Sequence, residues 1–491
     1  MKQKLLTIAV SAALLQLPSL AAADDGNPTF KLRGFGTLAV VHTNQDQTDY
    51  RNGLKQPTGA GYSHDWDPGV DSRLGLQGDL ALTDKLAAVV QLVSERQYDK
   101  TFAPSVEWAN VKYNITPDLS IRGGRMALPV FMLSDSRKVG YTYPWVRTPV
   151  ETYFQVAFTS LNGGDLMYRA NFGDASASIQ TYYGSAKDKI PSSLGINEAK
   201  AKNTAGVNGT FEYGALSFRA GYVRTKLDYV GDTLNQLFNG YRSLNTNATA
   251  LAAGATRIAA GAAAAAAAPT TPAGLVPALQ ATASSAQAAA ASAGAMASSA
   301  QGVIDDLEAK DKDATFSGIG ATYDPGNWFV QGEFTQRKTK SFVADTTGWY
   351  LSGGMRIGKF TPFATYSRLK TDSEIHVSGA SAATSITQLP VSVPPLSGAI
   401  DGYNASAAQI NAGANGANAG VNNLLYAASY AQKDIGLGLR YDFMKNVDLK
   451  MQWDRVSFDN NGAGNTFTEQ QPGFDAGKKV NVFSLAVDFV F

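Results

Sequence analysis

The chain has no cysteine. That excludes disulfides, thiolate metal sites, cysteine nucleophiles and a lipid-anchored leader. Histidine is almost as scarce, with three in 491 residues. His42, His64 and His376 all fall in segments expected to be loops. Ser63-His64-Asp65 brings the residue types of a hydrolytic triad together, but sequence neighbours rarely form a triad, and no oxyanion motif accompanies them. No enzyme activity is expected, and neither is a cofactor or a metal site, since no metal-ligand cluster is visible. The net charge of +1 offers no strong pull on nucleic acid. Beyond the first residues there is no run of about 18 strongly apolar residues, so no α-helical membrane span is expected.

Those first residues have a different pattern. Lys2 and Lys4 precede an apolar stretch from Leu5 to Leu15, and Ala21-Ala22-Ala23 supplies a small-residue cleavage pattern. Residues 1–23 read as a secretory signal peptide, with Asp24 as the mature start. The other reading, an apolar helix of the mature fold, is the weaker one, because the stretch is too short to span a bilayer.

What the chain has in abundance is period-two alternation. Phe483, Leu485, Val487, Phe489 and Phe491 share one face of the C-terminal segment, and Ser484, Ala486, Asp488 and Val490 share the other. Ile435, Leu437, Leu439, Tyr441 and Phe443 alternate with Asp434, Gly436, Gly438, Arg440 and Asp442. A turn at 444–446 leads into Val447, Leu449, Met451 and Trp453, which alternate with Asp448, Lys450, Gln452 and Asp454. Strands with one lipid face and one wet face read this way. Soluble sandwiches alternate too, but they have no reason to band aromatics at one end. Here Phe172, Tyr213, Tyr323, Trp328, Tyr441 and Phe443 crowd the short turns, as an interfacial girdle would.

The expected fold is all-β: a transmembrane antiparallel barrel over 24–491 with about 16 strands, near 30–41, 70–82, 85–96, 105–115, 119–127, 163–173, 174–184, 203–213, 214–226, 314–324, 327–340, 343–357, 360–371, 432–443, 446–458 and 475–491. Connections alternate between short turns and long loops, the long ones near 42–69, 97–104, 128–162, 185–202, 227–313, 372–431 and 459–474, with 341–342 a short exception.

At this point the chain resembles the general diffusion porins of Gram-negative bacteria. The resemblance is carried by the leader, by Phe30-Lys31-Leu32-Arg33-Gly34, Ser72-Arg73-Leu74-Gly75 and Gly438-Leu439-Arg440-Tyr441-Asp442-Phe443, and by the terminal Phe491. It covers most of the mature chain outside two insertions. It implies a passive channel in the outer membrane, surrounded by lipid and lipopolysaccharide and assembled as a homotrimer. A terminal Phe like Phe491 is similar to the signal read by the outer-membrane assembly machinery. The loop after the fifth strand would fold inward as a constriction, a role that 128–162 fits by position, length and its richness in aromatics and proline. An ordinary external loop is the alternative. The acidic Pro-Glu-Phe-type stretch of those porins is missing here.

Pore-lining candidates follow from the inward face. Arg33, Arg73, Arg122, Arg169, Arg219, Arg356 and Arg440 are the basic ones, with Asp135 and Glu151 on the inward loop. Basic residues slightly outnumber acidic ones on that face, which suggests a weak anion preference. The competing reading is that these arginines form structural pairs within the wall. The 227–313 insertion contains Ala-rich tracts broken by Pro269, Pro272 and Pro277 and reads as a helical external hairpin. The 372–431 segment is low in complexity and reads as an external loop, and mobile loops are the plain alternative for both. Two rival functions use these features: a solute-specific gated channel, or an adhesin or receptor working through the insertions.

Overall fold

The structure is a computed structural model that describes residues 28–192, 195–373, 385–390, 393–394, 396–463 and 466–491. The expected leader 1–23 and His376 lie outside these residues. Sixteen strands follow in chain order: β1 Thr29–Thr43, β2 Arg73–Ala81, β3 Leu86–Glu95, β4 Ser105–Asn114, β5 Leu119–Ala127, β6 Ser160–Phe172, β7 Ala175–Ser192 and β8 Gly195–Tyr213. The second half supplies β9 Leu216–Val230, β10 Lys312–Tyr323, β11 Trp328–Thr339, β12 Thr346–Met355, β13 Phe360–Thr371, β14 Tyr430–Met444, β15 Val447–Ala463 and β16 Val480–Val490. Each pairs antiparallel with its sequence neighbours, and β1 closes the sheet by pairing with β16 from Phe35↔Val490 to Thr43↔Val482. This is the closed sixteen-stranded antiparallel barrel expected from the alternation.

The two faces separate as their residue types require. Leu32, Leu38, Leu74, Ile121, Leu166, Ile179, Ile319, Leu351, Ile435 and Leu485 stand exposed on the outer wall. Thr37, Asp79, Gln91, Asn110, Arg122, Asp165, Gln180, Gln331, Thr365, Asp454 and Ser484 are buried on the inner side. At the short-turn rim, Tyr323 and Trp328 lie 5.4 Å apart and Phe360 stacks on Tyr441 at 4.6 Å. Phe172 and Tyr213 are exposed beside the same set of turns.

The 185–202 segment is not a loop. β7 and β8 run on as a paired ribbon from Ala186↔Ala201 to Ser192↔Gly195. Alternation persists there, with Tyr182, Ala186 and Ile190 buried and Tyr183, Lys187 and Lys189 exposed. The outward residues simply change from apolar to charged, which is the pattern of a strand that has left the apolar layer for water.

The insertions are helical. α1 Asp232–Ala267 and α2 Val276–Leu307 connect β9 to β10, and α3 Ser397–Ala428 lies in the β13–β14 connection. The 372–431 segment, expected as a loop, thus contains a helix as long as α2. Its buried positions Ile400, Tyr403, Ala407, Ile410, Ala414, Val421, Leu424 and Ala428 follow a heptad spacing. The same holds for Leu279, Thr282, Ala286, Ala289, Ala293, Met296, Ala300, Val303 and Leu307 of α2. Alanine at these positions lets helices approach closely, and the three pack into one core. Tyr241 donates to Asn418 across the bundle at 3.0 Å, and Tyr403 donates to the Ala289 carbonyl at 3.3 Å. By length and hydropathy α1 could cross a membrane, but Phe238, Tyr241, Leu244, Leu251 and Ile258 are buried within this bundle.

Between β6 and β7, Gly163 faces Gly184. A Cβ on Gly163 would lie 2.0 Å from the Tyr183 carbonyl oxygen. Since the obstacle is backbone, Gly163→Val is expected to weaken the barrel by about 1–3 kcal/mol. The check is the temperature at which the folded form, still compact on an SDS gel, converts to the unfolded one.

Candidate functional site

Between β5 and β6 the chain turns into the barrel. The segment 128–159 opens with Leu128-Pro129-Val130-Phe131, forms a 3₁₀ turn at Gly140–Thr142 and makes one helical turn at Val150–Tyr153. Its aromatic side chains build a second core against the inner wall. Phe131 packs on Tyr153 at 4.6 Å and edge-on to Phe316 of β10 at 5.1 Å, and Trp145 meets Tyr350 of β12 at 5.8 Å. Rings with polar tips suit this place, because their bodies fill space while their N–H and O–H groups reach the polar wall. Trp145 Nε1 donates to Ser352 Oγ at 2.9 Å and Thr365 Oγ1 at 3.0 Å, and Tyr153 Oη donates to Glu333 at 2.9 Å.

Charged contacts fix the remainder. Arg147 donates to Asp71 at 2.6 Å and to Asp454 of β15 at 2.9 Å, and also to Ser484 of β16. Its guanidinium lies 5.3 Å from the centre of the Tyr50 ring. Burial alone would lower its pKa, but Asp71, Tyr50 and Asp454 hold it well above the usual value. Lys450 donates to the Gly140 carbonyl at 2.7 Å and pairs with Asp488 at 2.8 Å. A Cβ at Gly140 would meet the Asp488 carboxylate at 2.0 Å, so a larger residue would have to displace that carboxylate. Glu151 is fully buried and accepts hydrogen bonds from Gln432 at 2.6 Å and Ser367 at 2.7 Å. Burial raises its carboxyl pKa, the two hydrogen bonds oppose this, and the nearby Asp454 carboxylate adds to the rise.

The segment therefore reaches strands from β9 round to β3: Pro129 to Arg219, Gln155 to Thr335, Arg137 to Arg73 and Lys138 to Glu95. On the intervening strands the inner wall keeps its own polar rungs. Arg122 pairs with Asp165 at 2.5 Å, Gln180 donates to Asp165 at 2.6 Å, and Asn208 donates to Gln180 at 3.0 Å.

The residues singled out from the sequence fall into three groups. Arg73, Arg122, Arg219 and Arg440 meet the inward segment or the polar rungs, and Asp135 lies 3.7 Å from Arg219. Arg440 donates to the carbonyls of Tyr141 and Tyr143 and pairs with Asp442 and Asp448. Arg33 and Arg169 lie on the inner face toward the short-turn rim, Arg33 at 3.5 Å from Asp79 and Arg169 exposed. Arg356 lies just beyond β12, gripped by Asp324 of the β10–β11 turn at 2.6 Å, and Glu151 is an internal anchor. Sequence reasoning passed over Arg147, the most heavily bonded of the loop's charged residues, and Arg137, whose guanidinium lies 5.7 Å from the Phe131 and Tyr153 ring centres. The acidic partners of Arg147 are scattered through the chain, and only the aromatic-proline setting of the loop pointed to it.

No family model matches the sequence, and no curated protein matches it. Among solved structures, the chain is similar to an anion-selective porin from Comamonas acidovorans at 14% identity, covering 95% of this chain and 100% of that one with a TM-score of 0.46. It is also similar to the outer membrane channel DcaP of Acinetobacter baumannii (10% identity, 96% and 99% covered, TM-score 0.49) and to OmpF of Salmonella typhi (13%, 95% and 98%, 0.47). The class follows from the chain's own geometry: a closed sixteen-stranded barrel with an apolar outer wall, a polar inner wall and the loop after the fifth strand folded inside. This is the architecture of a transmembrane β-barrel with one inward-folded loop.

Arg147→Ala would leave Asp71 and Asp454 buried without their cation, at a cost of about 3–5 kcal/mol. Thermal unfolding should show that loss, and Asp71→Asn in the same chain should recover part of it. A raised carboxyl pKa means that the docked loop favours the protonated form, so Glu151 opposes docking increasingly as pH rises through its folded value. Glu151→Gln should keep the loop docked and remove the loss of stability that sets in as pH rises above the ordinary carboxyl value, as followed by the unfolding midpoint at a series of pH values.

Proposed function

We propose that this protein is an outer-membrane channel for passive diffusion of ions and small hydrophilic solutes. The observation that carries the reading is the one-sided docking of 128–159. The segment bonds to β9 round to β3 and packs on Tyr182 and Ala186 of β7 and Ala199 of β8, while the polar rungs of β5–β8 bond among themselves, and the passage is read as running between loop and rungs. The apolar outer wall and the aromatic rim support placement in a lipid bilayer. No enzymatic step is proposed.

The passage is basic. Lys138 pairs with Glu95, Arg122 with Asp165 and Arg219 with Asp135, so these charges cancel. Among the described residues, Arg73, Arg137, Lys112 and Arg169 have no carboxylate within ion-pair distance; farther off, Glu95 faces Arg73 and Arg137, Glu107 faces Arg137, Asp71 and Asp488 face Arg73, and Asp165 faces Lys112. Uncancelled positive charge in a narrow wet passage favours anions. The protein is accordingly a channel with weak anion preference, one pore per barrel, working as a homotrimer.

The test is a planar-bilayer recording of the purified protein. Stepwise openings, in sets of three for a trimer, and a reversal potential on the anion side across a salt gradient are expected. Arg73→Ser with Arg137→Ser should cut the anion-to-cation permeability ratio by about two- to three-fold. Folded barrels that insert and stay silent would overturn the diffusion reading, and an unchanged ratio in the double variant would remove these two arginines from selectivity.

A further inference from the structure

A cavity of about 160 Å³ lies between the inward loop and the helical bundle, on the long-loop side of the barrel. Its floor is Leu128, Val156 and Phe158 of the loop. Ile190, Ala201, Val223 and Phe316 of β7–β10 form the wall. Leu234, Leu424 and Ala428 close it from the helices, joined by Phe342.

Several polar groups at its edge have their donors engaged. Arg337 donates to the carbonyls of Ala344 at 2.7 Å and Gln155 at 2.5 Å and to Tyr430 Oη at 3.1 Å. Thr204 and Thr225 share a hydrogen bond at 2.9 Å, and Asn197 Nδ2 donates to Ser192 at 2.9 Å. Asn197 Oδ1 is buried there without a partner and could accept one hydrogen bond, but a charged solute would lose its water with Arg337 already held by other acceptors. Dry cavities of about 150 Å³ lined by aliphatic and aromatic side chains take up benzene. A lumen meant only for water and ions has no use for such a chamber, since its apolar lining offers water no partners.

We infer that this chamber is a binding site for one uncharged, single-ring aromatic or alicyclic molecule. Because its floor is the constriction loop and its roof is the bundle, an occupant would touch both. It would bridge two parts of the molecule that otherwise meet across empty space.

The test follows fluorobenzene by ¹⁹F NMR on the full mature chain in lipid nanodiscs, with empty nanodiscs as the partition blank. A bound resonance that saturates at one equivalent per chain and is displaced by toluene is expected. Ala201→Phe fills the chamber and should reduce the bound signal at least ten-fold, and Ala199→Leu serves if that variant does not fold. Leu351→Phe on the outer wall should leave the signal unchanged. A signal that rises without saturation, or one equal in wild type and the filled variants, would assign the probe to lipid and overturn the site. The readout is binding rather than conduction, so its outcome is independent of the channel reading.

Discussion

Everything in this molecule depends on one ladder of backbone hydrogen bonds having no end. Pairing β1 with β16 leaves no strand edge in the sheet, and closure is what allows so large a sheet to present an apolar outer wall without aggregating edge to edge. Closure also creates the next problem. Sixteen strands enclose more space than their own inward side chains fill. Here the loop after the fifth strand fills much of it, and does so as a folded element with its own aromatic core.

That filling explains why charge and apolarity are interleaved inside the barrel. A loop held only by apolar contacts would leave the polar wall behind it unsatisfied. Arg147, Lys450, Glu151 and Trp145 satisfy the wall while Phe131, Tyr143 and Tyr153 fill the volume. The arginines inside the barrel thus divide between those held by several acceptors, such as Arg147, Arg337 and Arg440, and those with no carboxylate within ion-pair distance among the described residues, such as Arg73 and Arg137.

The strands were legible because a lipid face and a wet face impose a strict period of two, and that period survives residue by residue. The pattern faded where its chemistry changed rather than where the strand stopped: Lys187 and Lys189 made a strand look like a loop. The helices were half legible. Alanine tracts announced α1 and α2, but the heptads of α3 were hidden because Asn, Gly and Ser fill the positions between Ile400, Tyr403, Ile410 and Val421. The anchors of the inward loop were the least legible. Arg147 contacts residues 76 and 307 positions away, and nothing local in a sequence encodes such a meeting.

The helical bundle draws its three members from two separate connections, one between β9 and β10 and the other between β13 and β14. α1 and α2 cover each other within one connection, whereas α3 has no helical partner in its own and is covered by the other two. The full core can close only when both connections lie on the same side of the sheet, with β10 to β13 between them. A barrel threaded with either connection on the wrong side would leave α3 with its apolar face uncovered, a state open to proteolysis and distinguishable from the finished form by that exposure alone.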